Sequence, residues 1–206
     1  MPGDLLARLK AAAAEHPHPA PPAGFFQHGT PGNDTLTATP EAHVIGGGDG
    51  NDNIADGTGS DVLFGGHGAD TLAGGAGNDT LAGGPDADVL TGGTGADLFL
   101  ARGPVPATAA GLDRILDFTG GSDHLVFGPH DPGTAANFAT ATAADFASAL
   151  TAANTKIAAG VVDYVAVKVG ADVIVFADSH HDNGTADSAV LLVGKSLADI
   201  GYSDII

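Results

Sequence analysis

With 25 acidic residues against 7 Lys and Arg, the 206-residue chain carries a formal charge of −18. That charge repels nucleic acid and anionic membrane surfaces, so its natural partners are cations. Cysteine is absent, which excludes disulfide staples and thiolate metal sites, and no apolar run approaches the ~20 residues of a membrane helix. Residues 1–28 balance Asp4 and Glu15 against Arg8 and Lys10. Leu5, Leu6 and Leu9 with Ala11–Ala14 predict a short helix, which His16-Pro17-His18-Pro19 ends to leave a Pro-rich tail. The stretch lacks the basic end and apolar core of a cleavable secretory signal. It either docks on the segment that follows or stays a tail, and we read a tail.

Residues 29–100 hold ten Asp, one Glu and 19 Gly, with no Lys or Arg. Such a composition ordinarily reads as disordered, and only a strict period overturns that reading. The period is nine residues, in eight consecutive units that start at Gly29. Position eight is always apolar: Leu36, Ile45, Ile54, Leu63, Leu72, Leu81, Leu90 and Phe99. Position six is Asp in seven of eight units: Asp34, Asp52, Asp61, Asp70, Asp79, Asp88 and Asp97, with His43 the exception. Glycine recurs at positions one, two and four, as Gly47, Gly48, Gly50, Gly57, Gly59, Gly65, Gly66, Gly68, Gly74, Gly75, Gly77, Gly83, Gly84, Gly92, Gly93 and Gly95.

This pattern, G-G-x-G-x-D-x-U-x, resembles the repeats-in-toxin nonapeptide, and the resemblance implies a calcium-binding parallel β-roll. Each unit divides into a six-residue turn and a three-residue strand, and two units make one coil of 18 residues. Asp residues 18 apart then stack in two columns: Asp34, Asp52, Asp70 and Asp88 in one, His43, Asp61, Asp79 and Asp97 in the other. Coils spaced ~4.8 Å apart let an ion with ~2.4 Å bonds reach oxygens on both. Glycine allows positive φ and lets carbonyl oxygens crowd the ion without a clashing Cβ. The seven Asp and the glycines above are the candidate metal-binding residues. Adjacent Asp pairs give about five calcium ions, ten positive charges against the eleven negative charges of this segment. The interval between His43 and Asp61 is expected to be weak or empty. Asp49, Asp56 and Asp86 read as solvated turn acids, and the histidines as surface residues.

Beyond Leu100 the period stops. The segments 112–118 and 120–127 resemble the region that follows the last repeat in this superfamily, and read as one irregular rung closing the roll. Asp113, Asp117 and Asp123 there either complete one more calcium site or are turn acids. Next, Thr142 or Asp145 can start a helix whose Phe146, Leu150, Ala153 and Ile157 share a face, ending at Gly160. Strands follow at 161–169, 172–177 and 188–193, the first two joined at Gly170-Ala171. The connection 178–187 is either a metal loop using Asp178, Asp182, Asp187, His180 and His181, or a polar hairpin loop; its spacing fails the EF-hand pattern.

The expected fold class is mainly β, a calcium-stabilised parallel β-roll (29–100) followed by a C-terminal α+β cap (101–206). Neither H-E-x-x-H nor G-x-S-x-G occurs, and no catalytic residue can be named, so we expect no enzyme. The resemblance further implies a bacterial protein, exported unfolded by a type I secretion apparatus to the extracellular space or cell surface. The ending Asp204-Ile205-Ile206 is either part of such an export signal or a terminal strand. The leading functional reading is a structural or adhesive matrix protein partnered by calcium and by itself; the alternative is a calcium-dependent module for surface polysaccharide.

Overall fold

The computed structural model describes residues 26–38, 43–101, 104–128, 133–134, 136–160, 162–178 and 184–206. The helix and tail read at the amino terminus, and positions 179–183 of the loop, lie outside the described residues.

The nine-residue period becomes alternating short strands that fall into two parallel sheets. One sheet is β1 (Phe26–His28), β3 (Val44–Asp49), β5 (Val62–His67), β7 (Thr80–Ala82), β9 (Leu98–Leu100) and β11 (His124–Val126). The facing strands are β2 (Thr35–Thr37), β4 (Asn53–Ala55), β6 (Thr71–Ala76), β8 (Val89–Thr94) and β10 (Asp113–Ile115). Register places each position-eight side chain on its equivalent one coil away. Leu36, Ile54, Leu72, Leu90 and Ile115 form one inward ladder, and Ile45, Leu63, Leu81, Phe99 and Leu125 the other. All are buried, because a side chain that recurs in register can face only its own kind across the narrow interior.

The repeat unit sets three-residue strands in half the positions, which suits a turn-rich coil with little lateral room. Among the described residues the roll already includes Phe26–His28, since β1 pairs with β3 (Gln27 opposite Ile45) and adds a strand before the first nonapeptide. The closing rung is also present, but off period. Ile115 follows Leu90, and Leu125 follows Phe99, by more than one coil length because β9 ends at Leu100 and β10 starts only at Asp113.

Beyond the roll lie β12 (Phe138–Ala143), α1 (Phe146–Ile157), β13 (Tyr164–Val169), β14 (Asp172–Ala177) and β15 (Ser188–Leu192). Helix α1 starts at Asp145, whose carboxylate accepts the Ser148 N–H at 2.8 Å in a capping box; Thr142 lies in β12. These elements extend the roll itself. Strand β15 pairs parallel with β10, so the second sheet runs unbroken over nine strands, from β2 to β12. Alternation sorts the two faces: Tyr164, Ala166, Val173 and Val175 join the roll core, while Val165, Val167, Ile174 and Phe176 pack against Ala149, Ala153 and Ile157 of α1. The terminal Ile205 bridges Leu125 and is buried, sealing the end of the first sheet. Among the described residues no helix is long and apolar enough to cross a membrane.

Ile115 sits where roll and cap share one sheet and is 0% exposed. Ile115→Val removes one methylene-sized group there and is expected to cost ~0.5–1.5 kcal/mol in urea unfolding of the calcium-loaded protein.

Candidate metal centre

The turns between strands bring the position-six carboxylates together in the two columns. In the first, the Asp34 N–H donates to Asp52 Oδ1 at 2.8 Å, Asp52 to Asp70 at 2.7 Å, and Asp70 to Asp88 at 2.8 Å. In the second, His43 N–H donates to Asp61 Oδ1 at 2.6 Å, and Asp61 to Asp79 and Asp79 to Asp97 at 2.9 Å each. One oxygen of each carboxylate from Asp52 to Asp97 in the columns is thereby fixed on the backbone of the preceding coil. The other oxygen, Oδ2 of Asp52, Asp61, Asp70, Asp79, Asp88 and Asp97, is buried and accepts no hydrogen bond. A buried ionised oxygen without a partner is costly, and a cation is the partner that chemistry supplies.

The glycines serve two ends. Those at position one leave room beside the free oxygen: a Cβ added at Gly47 would stand 2.6 Å from the Gly65 carbonyl oxygen and closer still to Asp52 Oδ2. At Gly65 it would stand 2.5 Å from the Gly83 carbonyl and closer to Asp70 Oδ2; at Gly74, 2.8 Å from the Gly92 carbonyl and closer to Asp79 Oδ2. Gly83 and Gly92 likewise face Asp88 Oδ2 and Asp97 Oδ2. At Gly47, Gly65 and Gly74 the free carboxylate oxygen and a carbonyl oxygen of the next coil crowd the same Cα, and such a set of hard oxygens fits a hard cation.

Glycines at positions two and four (Gly48, Gly50, Gly59, Gly66, Gly68, Gly75, Gly77, Gly84, Gly93 and Gly95) all have φ between 103° and 138°, and all but Gly59 are shown stacking on the backbone of the coil before. Asp86 takes the same role at position four with φ 79°. Gly57 has no positive φ, and among the described residues nothing stands within 4 Å of a Cβ added there.

Both columns continue into the closing rung, where Asp88 N–H donates to Asp113 Oδ1 at 3.1 Å and Asp97 N–H to Asp123 Oδ1 at 3.0 Å. Asp117 stands beside them, its two oxygens taken by Gly92 N–H at 3.0 Å and Gly93 N–H at 2.8 Å. Asp34 ends the first column half-exposed, its Oδ2 accepting the Thr30 N–H at 2.5 Å and hydroxyl at 3.0 Å.

Two readings from the sequence change. Asp56 is no solvated turn acid: its side chain is fully buried beside His43 and Asp61, and His43 is only 5% exposed rather than a surface residue. Position one of its unit points at the column, so a side chain there is carried inward. The register already held the signal, because both departures from the pattern fall on the same turn pair.

Burial pushes the carboxylates up. Asp79 rises from 3.8 to about 6 and Asp88 to about 8. For Asp88 desolvation dominates; the Asp70 N–H opposes it, and the charges of Asp113, Asp70 and Asp86 add to it. Asp113 rises to about 6 for the same first reason, and Asp70 and Asp97 rise too. A raised folded-state value means that the folded, metal-free roll binds more protons than the unfolded chain. That contribution to stability is full below 3.8 and is lost as pH climbs through about 6 and then about 8. In chelator, acid is therefore expected to favour the roll, with more β-signal at pH 4 than at pH 8. A β-signal that rises with pH in chelator would contradict this.

Residues 46–81 and 74–102 match the family model of the RTX calcium-binding nonapeptide repeat, in 4 copies. Residues 46–102 of the roll are RTX calcium-binding repeats. Among solved structures, the RTX roll and cap together are similar to the AlgE6R3 subunit of the Azotobacter vinelandii mannuronan C5-epimerase. The identity is 23% over 90% of this chain and 81% of that one, with a TM-score of 0.46. The AlgE6R2 subunit of the same enzyme is 22% identical over 89% and 93%, at 0.45. The extracellular lipase LipA of Serratia marcescens is 17% identical over 88% of this chain and 40% of its own, at 0.33. No curated protein matches the sequence.

Proposed function

We propose that this chain is a secreted, non-catalytic structural module whose RTX roll folds on extracellular calcium and then serves as a rigid adhesive or matrix element. What carries the reading is the double column of buried carboxylate oxygens with no hydrogen-bond partner, which ties folding of the roll to a cation. Five calcium ions would sit in the intervals Asp34–Asp52, Asp52–Asp70, Asp70–Asp88, Asp61–Asp79 and Asp79–Asp97, held by the paired carboxylates and the carbonyls beside them. Each ion would supply neutralising charge. Sites of the extracellular class, ~10⁻⁴–10⁻³ M, stay empty in a cytosol and fill outside. Export of an unfolded chain, as through a type I apparatus, fits that gradient, since folding would follow release.

The test is sedimentation of the purified chain as calcium is raised to millimolar levels, alongside retention on an alginate resin. The structural reading expects calcium-triggered self-association. A chain that stays monomeric and is held by the resin only with calcium would replace it with polysaccharide recognition.

A further inference from the structure

We infer that His43, Asp56 and Asp61 form a separate site for a first-row transition metal, with Zn²⁺ as its type ion, set in the roll beside the calcium columns. The residues arrive there by two substitutions in the repeat that compensate each other. His43 takes the place of a position-six Asp, and Asp56 takes the place of the position-one Gly in the turn one coil on. Where Gly47 or Gly65 leaves a gap beside the free Asp oxygen, Asp56 fills it with a carboxylate.

Geometry brings the three together. His43 Nδ1 lies 3.7 Å from Asp56 Oδ1 and 3.8 Å from Asp61 Oδ1, and one ligand atom from each residue lies within 4.8 Å of the others. These separations exceed a hydrogen bond and approach the spacing of ligands around one ion. Four-coordinate zinc with bonds of about 2.1 Å sets its ligands about 3.4 Å apart. A direct imidazolium–carboxylate bond would close to about 2.7–2.9 Å.

An independent observation points the same way. Asp61 is 1% exposed, and its Oδ2 is buried without a hydrogen-bond partner, as is Oδ2 of Asp56. Asp61 Oδ1 is meanwhile held by the His43 N–H at 2.6 Å, which fixes the carboxylate toward the imidazole.

The donor set decides the ion. Calcium takes six to eight hard oxygens, and here an imidazole nitrogen replaces one carboxylate while the side chain of Asp56 fills the gap a glycine would leave. One nitrogen and two carboxylate oxygens suit zinc and its neighbours in the first row, with water in a fourth position. Neutral imidazole and two carboxylates carry two negative charges, matched by one divalent ion. This inference holds whether the folded module is structural or recognises a glycan.

Cobalt(II) is the probe, titrated into the full chain already loaded with calcium. One equivalent should develop tetrahedral visible bands that one equivalent of Zn²⁺ removes and excess calcium does not. His43→Asn should weaken Co²⁺ binding by at least about tenfold. The double variant His43→Asp with Asp56→Gly restores the repeat and so keeps the fold testable; it should lose the bands and bind one more calcium ion. Removing His180 and His181 together should leave the bands intact. Equal Co²⁺ bands in wild type and in the repaired double variant, loss of the bands on removing His180 and His181, or no binding at all would each overturn the inference.

Discussion

Replacing Asp70 and Asp79 together by Asn is expected to raise the calcium concentration at half-folding by at least about tenfold, ~1.4 kcal/mol of lost coupling. Asp70 stands in the middle of one column and Asp79 in the middle of the other. Each accepts a backbone N–H from the coil before, at 2.7 Å from Asp52 and 2.9 Å from Asp61, and each keeps a buried Oδ2 free. Asn preserves shape and the Oδ1 acceptor, but turns the free oxygen into a donor and removes the charge. Each Asp also faces two neighbouring intervals, so one substitution weakens two sites. In chelator the sign reverses: burial penalises the charge of both carboxylates, and an uncharged side chain relieves it. The double variant should therefore fold no worse than wild type without calcium and markedly worse with it. Circular dichroism at graded free calcium measures both arms, and an unchanged calcium midpoint would take the columns out of metal binding.

A pair of glycine substitutions separates two positions that the repeat both assigns to glycine. Gly77 has φ 136°, and an added Cβ would overlap the carbonyl oxygen of Gly59 one coil away. Strain at such a φ costs ~1–3 kcal/mol and the backbone displacement a similar amount, so Gly77→Ala should lose about 3 kcal/mol or more. The stacking distance between coils is itself what the extra atom violates, so calcium affinity should fall with stability. Gly57 also fits the motif, yet it has no positive φ and, among the described residues, nothing within 4 Å of an added Cβ. Gly57→Ala should be neutral, or stabilising by ~0.4–1 kcal/mol through the unfolded chain. Urea unfolding in calcium compares the two; equal costs would mean that the turn is not strained where the backbone places it.

Most of the roll was legible in the sequence because its physics is one-dimensional. A nine-residue period with Leu, Ile or Phe at position eight dictates the inward ladders, and an 18-residue coil dictates which Asp stands on which. The rest depended on facts that no period encodes. Ile115 and Leu125 continue the ladders off register, so their partners Leu90 and Phe99 emerge only once the longer connection between β9 and β10 is placed. Strand β12, with its Ala and Thr alternation after Phe138, carries too little apolar character to stand out, and owes its order to pairing with β13. The apolar runs of β13, β14 and β15 were readable as strands. That β15 docks on β10 and fuses cap to roll is a long-range pairing invisible to local pattern. At the metal centre, the Asp columns followed from register, whereas Asp56 was judged as a single residue. Its meaning came from the company of His43 and Asp61.

The central claim is that the buried carboxylate columns make folding of the roll depend on calcium. Far-ultraviolet circular dichroism of the purified chain in chelator, titrated first with magnesium and then with calcium, tests it most directly. Magnesium demands compact octahedral coordination and sheds water reluctantly, so it should leave the spectrum unchanged. Calcium should then bring a cooperative gain of β-signal. A spectrum already folded in chelator and indifferent to calcium would contradict the account.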